Sequence, residues 1–258
     1  SIVVDHFTIN HERQHLIIDG VASESPADAI TIDIKELDVA YILDLVDFDA
    51  VSFDGLATGT ATLSQVFDDI EGSTDLTVDQ FRFQSGRMGT LIANAKWNKA
   101  DSQIDIDAIA DNGTKSKTFI NGYISPVRED INLNIQAAGT SIEFCQSFTE
   151  SFLHDVSGNA YGNVVLYGPL SELNLTGDMI VDGQATVTAL NTTYTMQKDT
   201  IRLVPNSILV NECVIADKEG HQGTLNGSIN HDHFSDFTFD MDITAENLLA
   251  YDFDDFNG

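Results

Sequence analysis

Apolar and polar residues alternate with a period of two along much of this chain. Successive side chains of a β-strand point to opposite faces, so this alternation places the apolar residues on one face and Asp, Asn and Thr on the other. It therefore predicts an antiparallel sheet with one face in water. The clearest examples are ITIDI from Ile30, IDIDAI from Ile104, INLNI from Ile131 and FTFDMDI from Phe237.

Turn-type dipeptides and short helical patterns interrupt the alternation. Asp-Gly and Asn-Gly pairs favour tight turns, so they predict strand ends. They lie at Asp19-Gly20, Asn112-Gly113, Asn121-Gly122 and Asn226-Gly227. Three other segments have helical apolar spacing, and we expect a short helix in each. They are VAYILDLVDF from Val39, SIEFCQSFTESFLHDV from Ser141 and ENLLAYDF from Glu246.

The chain also resembles itself at a fixed spacing. A shift of 103 residues aligns Gly55 to Asp79 with Gly158 to Asp182 without a gap. The helical segments recur at a similar distance, which indicates repeats of roughly one hundred residues, each with several strands and one short helix. We assign approximate units to residues 1–54, 55–157 and 158–258 of one continuous rod. Such units bury their apolar faces against their neighbours.

Composition and charge exclude several classes of function. The 258 residues carry a formal net charge of −29, which repels phosphates and so excludes nucleic-acid binding and electrostatic docking to an anionic membrane. The 42% hydrophobic residues exclude an acidic disordered chain. The sequence contains no run of about 18 apolar residues, so it predicts no membrane-spanning helix. The opening SIVVDHFTIN lacks the character of a signal peptide, so we interpret the chain as a fragment that begins inside a structured segment.

Motifs for catalysis are absent from the sequence, and we expect a non-enzymatic protein without a cofactor. Cys145 lies in an apolar segment that favours a buried thiol over a nucleophile. His231 and His233 form the best metal-like pair, because residues two apart on a strand share a face and two imidazoles could bind one zinc ion. No third ligand can be assigned, and polar residues in a loop between two strands are the favoured interpretation.

The region from Gly177 to Phe253 carries a recognisable order of residues. In this order the chain resembles the C-terminal region of the translocation and assembly module TamB family, within the AsmA-like group of envelope proteins. The likeness covers less than a third of the chain strongly and the rest as a weaker repeat. It comprises a Gly-x-Ala-x-Val strand, Tyr194, an Ile/Leu/Pro strand, Asp217 and Gly220, Gly-x-Leu-x-Gly at Gly223 to Gly227, His231 and Asn247-Leu248-Leu249.

The resemblance implies a mostly β, elongated, curved antiparallel sheet, taco-like in section, whose concave face is a hydrophobic groove. It also implies the periplasm of a Gram-negative bacterium and an inner-membrane anchor outside this chain. The implied roles are outer-membrane protein assembly or autotransporter translocation, phospholipid transport, or both. The expected partners are phospholipid, nascent outer-membrane β-strands and an outer-membrane barrel protein that contacts regions outside this chain.

A groove of this kind has a physical use. One acyl chain of about sixteen carbons costs on the order of 10 kcal/mol to move through water, and a continuous apolar surface removes most of that cost. The alternative is a closed sandwich in which a second sheet covers the same side chains, as in an extracellular adhesion or glycan-binding module. The residues we expect to line the groove are Ile30, Ile32, Ile34, Ile104, Ile106, Ile131, Leu133, Ile135, Leu173, Leu175, Phe237, Phe239 and Met241.

Overall fold

The computed structural model describes residues 1–44 and 51–251. These residues form fifteen strands and two short helices. In chain order they are β1 (Ile2–His11), β2 (Gln14–Ala22), β3 (Ala29–Asp38), α1 (Val39–Asp44), β4 (Phe53–Ser64), β5 (Glu71–Phe83), β6 (Gly86–Asn98), β7 (Gln103–Asp111), β8 (Lys117–Ser125), β9 (Asp130–Ser141), a 3₁₀ turn (Glu143–Cys145), α2 (Gln146–Thr149), β10 (Leu153–Pro169), β11 (Asn174–Val187), β12 (Thr192–Val204), β13 (Ser207–Ala216), β14 (Gln222–Asp232) and β15 (Ser235–Ala245).

All fifteen strands belong to one sheet, in which each strand pairs antiparallel with the strands before and after it in the chain. The sheet is long, open and curved, which confirms the predicted fold class. The described residues do not form the alternative fold, a sandwich of two packed sheets, because all their strands belong to one sheet.

The strand register carries one face of the sheet continuously across the molecule. Ile32 pairs with Ala61 of β4, and the same face continues through β5 and β6 to Ile106 of β7. From there it passes through Gly122 of β8 to Leu133 of β9 and on into β10. The predicted apolar residues therefore share one face, and the exposed carboxylates between them lie on the other.

Bulges bend many of the strands. Glu36 in β3 and Glu212 in β13 lie at register breaks and have positive φ angles of 50° and 53°. The N–H of Glu36 donates to Thr58 Oγ1 at 3.1 Å, and that of Glu212 donates to Asn226 Oδ1 at 2.7 Å. A bulge strengthens the local twist and bends its strand. The repeated bulges therefore account for much of the curvature.

Three of the four predicted turn dipeptides lie inside strands. Asn121-Gly122 is within β8 and Asn226-Gly227 within β14, and Asp19-Gly20 is within β2. Gly122 has a φ of 143°, and a Cβ there would lie 2.0 Å from the carbonyl oxygen of Asn132 on β9. The glycine is needed where two bent strands approach closely, and the chain reverses only later. Asn112-Gly113 does lie in the turn between β7 and β8.

The helical segments differ in outcome. The first forms α1, and its residues 45–48 lie outside the described part of the chain. The second forms the 3₁₀ turn and α2. The third prediction is wrong over residues 246–251, which are not helical. There the N–H of Leu249 donates to Asp217 Oδ2 and its carbonyl accepts from the hydroxyl of Tyr194, so these backbone groups are unavailable for a helix.

Six strands separate one helical segment from the next. Strands β4 to β9 follow α1, and β10 to β15 follow α2. The two aligned stretches of sequence fall on equivalent strand pairs, β4 with β5 and β10 with β11. The boundaries of the three units remain a prediction.

Candidate functional site

A large cavity of about 1530 Å³ lies on the concave face and extends from α1 and β4 to β15. Pockets for drug-sized molecules are usually about 300–1,000 Å³, so this space exceeds them. Among its described lining residues only Arg128 and Glu129 are charged. The cavity is therefore suited to a long apolar ligand.

The structure brings most of the predicted groove residues together around this cavity. Ile30, Ile32 and Ile34 lie on the same face of the sheet but outside the cavity lining. The residues that do line it are Ile104, Ile106, Ile131, Leu133, Ile135, Leu173, Leu175, Phe237, Phe239 and Met241.

A segment that we call the strap, residues 142–152, crosses the mouth of the cavity. The ring centroid of Phe144 lies 5.1 Å from that of Phe83, next to the start of β6. The ring of Phe148 lies 5.4 Å from that of Phe237 on β15. Aromatic pairs at these distances attract beyond the area they bury. The strap thus joins two parts of the sheet that are far apart in sequence.

Sequence reasoning did not include the strap phenylalanines among the groove residues. Phe144, Phe148 and Phe152 are spaced four apart, and this spacing was the available signal. Residues of β10 to β13 that line the cavity were also missed. They include Val164, Leu166, Met179, Ile201, Leu203, Ile208 and Val210.

Protein side chains fill the interior beside α1. The buried cluster consists of Ala57, Val78, Phe81, Met88 and Ala110, and Val39, Phe53, Phe83 and Leu91 pack against it. Phe53 stacks on Phe81 with ring centroids 5.9 Å apart. We call this set the packed end, because it closes the cavity at the α1 side.

One edge of the sheet is strongly acidic. This edge is the side of the sheet on which the even-numbered strands end. The turns that follow those strands all lie along it, and we call it the acidic rim. Its acidic residues outnumber its basic ones, Lys99 and Arg128. The acids in these turns are Glu24, Asp28, Asp68, Asp69, Asp101, Glu129 and Glu172.

Both cations of the acidic rim are already engaged. Lys99 pairs with Asp69. Arg128 lies 3.2 Å from Asp130, donates to Gln103 Oε1 at 3.0 Å and sits over the ring of Tyr123 at 5.0 Å. The Arg128 pKa is raised, because its hydrogen bonds and charge interactions with Asp130 and Tyr123 outweigh the lowering caused by burial. Both cations thus have a carboxylate partner.

At the opposite edge, Asp217 fastens the segment that follows β15. Its buried carboxylate accepts N–H bonds from Glu219, His221 and Leu249 at 2.9, 3.0 and 2.8 Å. Burial raises the Asp217 pKa, but these bonds and the ring of His221 outweigh it and lower the pKa to about 2. Asp217 is therefore ionised at neutral pH, and we call this arrangement the Asp217 clip.

His231 and His233 contact protein groups. His231 Nδ1 accepts from the N–H of Phe234 at 3.1 Å, and its ring stacks on that phenylalanine. His233 Nδ1 lies 3.1 Å from the carbonyl oxygen of Leu173. In the described part of the chain, a group of three possible metal ligands forms elsewhere, at Asp5, His6 and Asp19.

The two cysteines are free thiols. Cys145 lines the cavity, and burial raises its pKa to about 12. Burial also raises the pKa of Cys213. Both thiols stay protonated at neutral pH, and a protonated thiol is a poor nucleophile.

The sequence matches no family model, no curated protein and no solved structure. Neither helix of residues 1–44 and 51–251 is long and apolar enough to cross a membrane. The function is therefore inferred from the geometry of the chain itself.

Proposed function

We propose that this chain is a periplasmic part of a TamB-like envelope protein that carries lipid acyl chains in its groove, without enzymatic activity. The observation that carries the proposal is the cavity of about 1530 Å³ with an almost uncharged lining. Protein interiors are normally packed as densely as organic crystals, with few voids larger than a water molecule. An apolar space of this size favours a mobile apolar occupant.

The chemistry of the lining favours lipid over a nascent β-strand. The concave face presents side chains, whereas unpaired backbone groups of the sheet lie at the edge strands β1 and β15. A nascent strand in the groove would leave its own N–H and C=O groups unpaired at a cost of about 1–3 kcal/mol for each group. An acyl chain has no such groups. Support for outer-membrane protein assembly then comes through lipid supply, and the barrel partner would contact regions outside this chain.

The same lining disfavours the adhesion or glycan-binding alternative. A glycan needs several polar groups that converge on its hydroxyls. Besides Arg128 and Glu129, the polar side chains of the described lining are a few Thr, Ser, Gln and Tyr residues scattered among aliphatic and aromatic ones.

Lipid loading tests the proposal directly. The chain is incubated with vesicles of palmitoyl-oleoyl phosphatidylcholine, re-isolated by size exclusion, and its bound lipid is counted by native mass spectrometry. Leu133→Asp places a carboxylate in the middle of the lining, so we expect bound lipid to fall to about a tenth or less.

Ile92→Asp is the matched control, because Ile92 lies on the convex face and is 59% exposed. We expect the control to bind lipid as the unchanged chain does. Equal lipid binding by Leu133→Asp, with an unchanged circular dichroism spectrum, would contradict the proposal.

A further inference from the structure

We propose that the groove selects lipids by headgroup, accepting zwitterionic phospholipids and disfavouring those with a net negative charge. This inference rests on the proposed function, since it concerns the ligand of the same cavity. The selection results from the charges around an apolar site, and the acyl chains do not contribute to it.

The headgroup of a bound lipid has to lie at the mouth of the cavity. Its phosphate cannot enter the lining without losing its hydration. The mouth is bounded by the two edges of the sheet, so the headgroup lies beside the turns of one edge or the other.

The acidic rim meets the cavity at Glu129, which lines it. The neighbouring turn carries Glu172, and the two turns are joined by a hydrogen bond of 2.8 Å from the N–H of Leu170 to the carbonyl oxygen of Glu129. The side chains of both glutamates are exposed. Two carboxylates thus lie next to the position of a headgroup.

No cation of the acidic rim compensates for these carboxylates within the described turns. Arg128 and Lys99 are both paired, with Asp130 and Asp69. A headgroup phosphate at this edge therefore has to compete with Asp130 or Asp69 for a cation. The ammonium of a zwitterionic headgroup finds carboxylates.

The opposite edge also carries cations, since Lys115 is exposed in the turn between β7 and β8 and Arg82 is exposed at the end of β5. On the strap side, Arg87 lies 3.5 Å from Glu143 and Lys117 lies 3.2 Å from Asp111, so both cations have carboxylate partners. The strap itself also carries Glu150. The selection therefore applies to a headgroup that lies beside the acidic rim.

The effect is moderate, because the headgroup is hydrated and salt screens its interactions. Several net charges at about 10 Å give about threefold discrimination at low ionic strength. The Debye length falls to a few ångströms near 1 M salt. We therefore expect the discrimination to disappear in concentrated salt.

The test uses vesicles that contain equal amounts of palmitoyl-oleoyl phosphatidylcholine and palmitoyl-oleoyl phosphatidylglycerol. Since both lipids share one vesicle and the same acyl chains, repulsion between the protein and the vesicle affects them equally. The chain is re-isolated and its bound lipids are quantified by mass spectrometry. We expect about threefold enrichment of phosphatidylcholine at low salt and a ratio near one at about 1 M salt.

A pair of variants locates the effect. Glu129→Gln with Glu172→Gln removes two carboxylates at the mouth and lowers the enrichment to about twofold. The matched control is Asp107→Asn with Asp242→Asn, which removes the same charge from exposed positions of the convex face. We expect the control to keep the full enrichment.

The outcomes separate the two proposals. Equal binding of both lipids at low salt, or enrichment of phosphatidylglycerol, overturns headgroup selection and leaves lipid carriage intact. Enrichment that neither salt nor the glutamine variants change also overturns it, since its cause would not be charge. Failure to bind either lipid overturns lipid carriage and headgroup selection together.

Discussion

The two ends of the cavity are built from the same kind of strand but are filled differently. At the packed end, Phe81 and Met88 meet α1 and its neighbours in a compact cluster. From β8 to β15 the same concave face lines the open part of the cavity, and the strap crosses it. The sheet therefore forms whether or not protein fills its concave side. The content of the groove depends on which side chains the helical segments place over it.

The largest expected effect comes from Gly122, where β8 bends and approaches β9 closely; we call such a bend at a glycine a crease. Gly122→Ala puts a Cβ 2.0 Å from the carbonyl oxygen of Asn132, at a φ that L-residues rarely adopt. We expect the free energy of unfolding to fall by about 3 kcal/mol or more. Urea denaturation measures it.

Gly113→Ala is the control for this variant. Gly113 also has a positive φ, but a Cβ there meets nothing within 4 Å. Only the conformational cost of about 1 kcal/mol should remain. Equal losses for Gly122→Ala and Gly113→Ala would show that the close approach of β8 and β9 does not matter.

The next effect concerns the strap. Phe148→Ala removes the ring that contacts Phe234 and Phe237, and Phe148 is only half-buried, so we expect a local cost of about 2 kcal/mol. Hydrogen exchange of β15 amides should accelerate about thirtyfold, while amides of the packed end stay unchanged.

Phe67→Ala serves as its control, because Phe67 is 51% exposed in the turn after β4. We expect it to change stability by less than about 0.5 kcal/mol. If β15 exchanges at the same rate in Phe148→Ala and Phe67→Ala, the strap does not hold the far end of the groove.

The smallest effect depends on pH. The Asp217 pKa is about 2 in the folded chain against an ordinary 3.8, so its ionised form stabilises the clip above pH 3.8. This stabilisation is lost as the pH falls from 3.8 towards 2. We expect the amide of Leu249 to lose protection in that interval before the packed end does.

Asp217→Asn tests the origin of this loss. The amide side chain does not titrate, so the variant should show weak protection of Leu249 at every pH. A loss of protection in the same acid interval in Asp217→Asn would assign it to another group.

Much of the groove could be predicted where strands run without interruption. In β7, β8 and β9 the alternation continues from Ile104 to Ile135, and the structure places these side chains on one face. Elsewhere bulges shift the phase, as between Val210 and Cys213 of β13. A period-two pattern loses its register at such a point, so Ile215 lines the cavity out of phase with Ile208 and Val210.

Local sequence patterns could not predict the contacts of the strap or the positions of the creases, for different reasons. The contact of Phe148 with Phe237 spans most of a repeat and depends on the summed curvature of six strands. The pair Asn121-Gly122 predicted a turn, and Gly122 has a positive φ within β8 instead. However, a turn and a crease both require one, and only the neighbouring strand decides between them.

The strand order has a consequence for how the chain reaches its folded form. Because each strand pairs only with its sequence neighbours, no strand has to wait for a distant partner. Loop closure is short at every step, which favours rapid assembly from local contacts. A chain that emerges with its N-terminus first can add strands one at a time to an existing edge, so that folding proceeds in the direction of delivery.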